Sequence, residues 1–134
     1  MSSKLNAMMA LVAMLSAAIP PSMAQANPDY DLQERCGAAS RVAFEAHQAI
    51  DSAVESYQNN YSSKHKSCFM LETIVRRDNN KATERLVILI DVLRNNTIGF
   101  YSYLPEKKDF LCMVDGNDCA NIPEFNRLTA SYMD

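Results

Sequence analysis

Few residues in this chain are suited to chemistry. His47 and His65 are the only histidines among 134 residues, and they accompany four cysteines, Cys36, Cys68, Cys112 and Cys119. His65-x-x-Cys68 has a spacing that can open a metal site. No second ligand pair follows at short spacing, and a bridged Cys68 has no thiolate to offer, so no metal or other cofactor is expected. Thiol redox catalysis favours closely paired cysteines, usually Cys-x-x-Cys, whereas the nearest pair here, Cys112 and Cys119, is separated by six residues. There is no Gly-x-Ser-x-Gly elbow, phosphate loop or His-Glu-x-x-His, and Gly37, Gly99 and Gly116 are too scattered to cradle an anion. The acidic residues are spread along the chain, with no spacing that singles out a glycosidase-like pair. This balance favours a role other than catalysis.

An even cysteine count in a short chain reads instead as a disulfide framework, and four cysteines allow three connectivities. Cys112-Met113-Val114-Asp115-Gly116-Asn117-Asp118-Cys119 carries Asp-Gly at its centre, a strong signal for a two-residue type I′ hairpin. That register sets Val114 against Asn117, Met113 against Asp118 and Cys112 against Cys119. Opposed residues of an antiparallel pair lie about 4.5–5.5 Å apart at Cα, inside the range of about 4.4–6.8 Å that a disulfide tolerates. A local Cys112–Cys119 bridge follows, and elimination leaves Cys36–Cys68. On the chain-entropy view the longer loop contributes about 3–4 kcal/mol and the hairpin bridge about 2.5 kcal/mol.

Tyrosines give the remaining lead. Tyr57 and Tyr61 are spaced four apart where the first helix gives way to a polar loop that also holds His65, and Tyr101 and Tyr103 share one face of a strand. Tyrosine brings large contact area at low entropic cost and is enriched in recognition surfaces, although it also packs at core edges. Tyr57, Tyr61, His65, Tyr101 and Tyr103 are therefore the candidate binding residues. Arg76-Arg77 and Lys107-Lys108 read as solvated turn charges.

The elements that must position these residues are legible in outline. Asp31 and Glu34 resemble a capping box, and Leu32, Cys36, Ala39, Ala43, Ala46 and Ile50 recur at helical spacing, predicting a helix from about Asp31 to near Tyr57. The segment 57–67 is polar and reads as a loop. Cys68–Val75 alternates as a strand, and Leu86–Leu93, apolar except for Asp91, reads as a central strand. The polar stretch 77–81 is a turn, and Asn95-Asn96 can supply the positive φ values of another tight hairpin. Ile98–Tyr103 is a further strand, 105–109 a charged turn, and Phe110–Cys119 the bridged hairpin. Asn121 and Glu124 frame a second capping box with Pro123 in the first turn, ahead of a short helix carrying Phe125, Leu128 and Tyr132 on one face. The expected fold is α+β: an N-terminal helix, an antiparallel meander of about four to five strands and a short C-terminal helix, with both helices covering one face.

The first 26 residues set the environment. Lys4 gives a basic start, Ala7–Ile19 is almost uninterrupted apolar sequence, Pro20-Pro21 breaks it, and the small-x-small sites Ser22-Met23-Ala24 and Ala24-Gln25-Ala26 follow. This is the layout of a signal peptide, cleaved near residue 24 or 26, and its apolar run is shorter than the ~20 residues a membrane span needs. Residues 27–134 then form one domain in the periplasm or outside the cell, with no stable membrane anchor. Loss of Lys4 leaves 12 basic against 16 acidic residues, a net charge near −4 that argues against nucleic-acid partners.

Three stretches carry a resemblance. They are Asp31-Leu32-Gln33-Glu34-Arg35-Cys36-Gly37, then Tyr61 with Lys64 and Ser67-Cys68-Phe69, and finally Cys119 with Glu124-Phe125 and Tyr132-Met133. Together the chain resembles an uncharacterised family of small exported proteobacterial proteins with four cysteines, departing from its pattern at Asn60 and at His65-Lys66. The resemblance implies export to a bacterial envelope and transfers no activity, ligand or catalytic residue. The expected function is that of a non-catalytic binding or accessory domain recognising another envelope protein, such as an inhibitor. The alternative is a small hydrolase acting on cell-wall or glycan material, which requires a cleft lined by a carboxylate pair with His47 or His65. Oligomeric state is not legible at this level.

Overall fold

The computed structural model describes residues 28–134; the expected signal peptide and its cleavage sites lie outside the described residues. Helix α1 (Pro28–Ile50) leads into six strands, β1 (Val54–Ser62), β2 (Ser67–Asp78), β3 (Lys81–Asp91), β4 (Asn96–Leu104), β5 (Asp109–Val114) and β6 (Asn117–Asp118), and helix α2 (Ile122–Met133) closes the chain. The strands form one antiparallel sheet in sequence order, an α+β meander. Both disulfides form as the spacing predicts, Cys36–Cys68 and Cys112–Cys119, with Cα separations of 5.2 and 5.0 Å.

Two hairpins turn on left-handed backbone. At Asp115-Gly116 φ is 51° and 77°, and the flanking pairs are Val114–Asn117 and Met113–Asp118, the register read from the Asp-Gly signal. At Asn79-Asn80 φ is 48° and 65°, closing β2 onto β3 between Asp78 and Lys81. The β3–β4 connection differs from expectation. Only Asn95 takes positive φ, 50°, while Asn96 already pairs with Asp91. The turn there is four residues long and is organised by Asp91, whose carboxylate accepts from the Arg94 N–H at 3.1 Å, the Arg94 guanidinium at 2.8 Å and Ser67 Oγ at 2.7 Å. Burial pushes the Asp91 pKa up, but these three donors outweigh it and hold the carboxyl below its ordinary value. The one charge in the apolar run Leu86–Leu93 is thus a satisfied turn anchor.

The helices cover opposite faces of the sheet, not one face as expected. Alternate residues of a strand point to opposite sides. Cys68 is bonded to α1, while its neighbour Phe69 packs its ring against Tyr132 of α2 at 4.9 Å. On the α1 face the buried residues include Cys36, Ser40, Cys68, Met70, Glu72 and Ile74. On the α2 face one cluster joins Val87, Tyr101, Cys112, Val114, Cys119 and Phe125, and another joins Phe69, Leu89 and Tyr132.

Helix α1 also sits differently from the alanine stripe. It ends at Ile50, and Ile50 is 87% exposed. Its sheet-facing side carries Cys36, Ser40, Phe44 and His47, because a disulfide, a Phe44–Tyr57 ring contact at 4.6 Å and a His47–Glu72 hydrogen bond at 2.8 Å attract more strongly than short alanines. The polar segment after it is strand β1, not loop. It forms the sheet edge, where one neighbouring strand supplies its backbone pairing and hydrophobic alternation is not required.

Candidate functional site

Tyr103 and Phe110 are directly paired across β4 and β5, on the α2 face. Opposite them the chain passes from Cys119 into α2. The disulfide fixes one end of this passage. At the other, Asn121 caps the helix by accepting from the Glu124 N–H at 2.9 Å, while the Glu124 carboxylate accepts from the Ala120 N–H at 2.7 Å. The capping box read from sequence therefore forms, with the return bond shifted one residue to Ala120. Between strands and loop lies an open surface hollow of about 390 Å³ lined by Tyr103, Phe110, Ala120, Asn121, Ile122 and Pro123. Its walls are mainly apolar and aromatic; the loop wall is fixed at its ends by the disulfide and the helix cap, and the strand wall by the pairing of β4 with β5. Such a socket suits an apolar side chain of a partner.

A second cavity, of about 420 Å³, lies at the opposite sheet edge between α1 and β1, lined by Glu34, Gly37, Ala38, Arg41, Tyr57 and Asn59. It is more polar. Gln33 donates to the Asn59 side chain at 3.2 Å and accepts from the Tyr61 N–H at 2.8 Å, tying the start of α1 to the end of β1.

The five candidate binding residues are divided between the two faces. Tyr57 lines the α1–β1 cavity and Tyr103 the α2-side socket. Tyr61 is half-buried on β1, on the same face as Tyr57, because the two alternate along a strand instead of stacking along a helix. Tyr101 is 5% exposed, its ring edge-on to Phe125 at 5.0 Å, so it belongs to the core beneath Tyr103's neighbourhood and not to a surface. His65 stacks on Tyr132 at 4.1 Å, with Nε2 3.3 Å from Ser131 Oγ. Tyr132 donates to the Asp115 carboxylate at 2.9 Å. Burial, and then that hydrogen bond and charge, push its phenol up to about 12.

Neither cavity is lined by a histidine or by two carboxylates, the arrangement on which the hydrolase alternative depends. His47 instead bonds the buried Glu72 beneath α1. Among the described residues no three His, Cys, Asp or Glu side chains gather as a metal site, and no cysteine is free. The sequence reading missed Phe110, Ile122 and Pro123 as socket walls. Their signal was available: the Asp-Gly register fixes β5, and the Asn121 cap fixes where α2 starts. Glu34 and Arg41, seven apart on α1, were also missed, because their meaning depends on the neighbouring strand.

Compared with known proteins, the chain matches no protein family, no curated protein and no solved structure. Its two disulfides point to an oxidising, extracytoplasmic environment. Among the described residues no helix is long and apolar enough to cross a membrane.

Proposed function

We propose that the protein is an exported, non-catalytic binding domain, working in the periplasm or outside the cell, that recognises another envelope protein as an inhibitor or accessory factor. The observation that carries this reading is the apolar socket of Tyr103, Phe110, Ile122 and Pro123, held between a disulfide and a capped helix. A pre-formed pocket needs little ordering when a partner side chain enters, and a single anchored aromatic or aliphatic group can dominate affinity. The signal-like N-terminus and the oxidised cysteines support export.

The test is capture from native envelope extract with three baits: the oxidised protein, the reduced and alkylated protein, and an Ile122→Arg variant that retains both disulfides and the wild-type circular dichroism spectrum. One partner held in stoichiometric amount by the oxidised protein and lost by the other two baits supports the socket. A partner held equally by Ile122→Arg moves recognition elsewhere. No partner at low or moderate salt overturns the binding reading.

A further inference from the structure

The free edge of β1 carries its own complement. Among the described residues strand β1 pairs only with β2. The Tyr61 N–H reaches Gln33 on the side away from β2, so the backbone groups of Tyr57, Asn59 and Tyr61 all point to the open edge, since this direction repeats every second residue. Helix α1 bonds to the two ends of this edge, through Gln33 at the Tyr61 N–H and through Gln48 at the Val54 carbonyl, 3.2 Å. The edge groups at Tyr57 and Asn59 have no such partner from α1. An unpaired edge is a template for another strand.

The contacts also fix how α1 lies along β1. Gln33 is beside Asn59 and Tyr61, Phe44 beside Tyr57, and Gln48 beside Val54, so helix and strand run antiparallel. Gly37 stands over Asn59, where a Cβ would be 3.8 Å from its Nδ2. Glu34 and Arg41 flank that level on either side along α1, two turns apart on one helix face. Among the described residues neither has an ion-pair partner.

We infer that the occupant of this edge is a second copy of the same chain, paired antiparallel through β1 about a twofold axis at Asn59. Three independent features meet under that operation. Asn59 pairs with the partner copy's Asn59, and Tyr57 pairs with Tyr61 of the other copy, its carbonyl displacing Gln33 from the Tyr61 N–H. The two α1 helices lie side by side with Gly37 and Ala38 at the axis, so small residues occupy the closest approach. Arg41 of each copy then faces Glu34 of the other, giving two symmetric ion pairs from residues that have no ion-pair partner among the described residues. A patch that is self-complementary about one axis is the signature of an isologous interface. The socket on the α2 face lies at β4 and β5, so this inference stands or falls apart from the binding reading.

The experiment is sedimentation equilibrium of the oxidised protein from about 10 μM to about 1 mM, a range in which a modest interface dissociates. The wild type is compared with Glu34→Arg, Arg41→Glu, the double exchange and Asn59→Pro. Each single reversal acts twice in the dimer and weakens it about tenfold or more, and the double exchange, which restores opposite charges, recovers most of the loss. Asn59→Pro abolishes the dimer with both disulfides intact, because its N–H faces the open edge and not β2. Hydrogen exchange shows protection of the Tyr57 and Asn59 amides rising with concentration. A monomer throughout overturns the inference and leaves the edge to an extended segment of another protein. A dimer indifferent to the reversals, or with those amides unprotected, also overturns it.

Discussion

The two helices hold the same sheet by different means. Helix α1 buries only Cys36 and Ser40 of its 23 residues, whereas α2 buries Phe125, Thr129 and Tyr132 of its 12. The longer helix is attached by a disulfide, by the ring contact of Phe44 with Tyr57 and by polar contacts from Gln33, His47 and Gln48. The shorter one is attached by aromatic packing of Phe125 on Tyr101 and Tyr132 on Phe69. An amphipathic helix normally gains its stability by burying an apolar face. Where the buried apolar area is small, as on α1, a covalent staple substitutes for it, and the outer flank of the helix is left free to carry charges such as Glu34 and Arg41.

The contrast can be broken at several points. Phe125→Ala opens a cavity under α2 and is expected to cost about 3–5 kcal/mol of global stability, read from the urea midpoint. A cost below about 1 kcal/mol would show that packing is not what holds α2. Replacing Cys36 and Cys68 together by Ser is expected to cost about 3–4 kcal/mol, with a different footprint. Amides of α1 should exchange rapidly while those of β2–β5 remain protected, because the polar contacts alone do not anchor the helix. Equal loss across the whole sheet would make α1 as integral to the core as α2.

The smallest expected effect sharpens the α2 side. Tyr132 has a folded pKa raised to about 12 by burial and by Asp115, above the ordinary value of about 10. Its contribution to stability is therefore complete below pH 10 and is lost as pH rises toward 12. Urea midpoints taken at pH 9 and pH 11 should fall further for the wild type than for Tyr132→Phe. A parallel fall in both would place Tyr132 in ordinary solvent-like surroundings.

Much of the candidate socket was legible because its determinants are local. Asp115-Gly116 sets the β5–β6 register, the register brings Cys112 to Cys119, and Asn121 with Glu124 starts α2. Each step spans fewer than ten residues and depends on backbone geometry that one or two side chains dictate. Strand β1 was not legible. Tyr57-Gln58-Asn59-Asn60-Tyr61 has the composition of a loop, and only β2 on one side and the glutamines of α1 on the other make it an edge strand. Tyr101 and Tyr103 share a strand face as expected, yet one is core and the other lines a cavity, because Phe125 covers only the first.

By itself, the sequence determined the α+β order, both disulfide pairings and the cap of the second helix, since these follow from spacing, turn chemistry and elimination among four cysteines. Only the tertiary structure decided which face each helix covers. The pleat turns adjacent residues to opposite sides, so Cys68 carries α1 and Phe69 carries α2. No local signal distinguishes that arrangement from both helices on one face, because the choice is made by how the whole sheet buries its two surfaces.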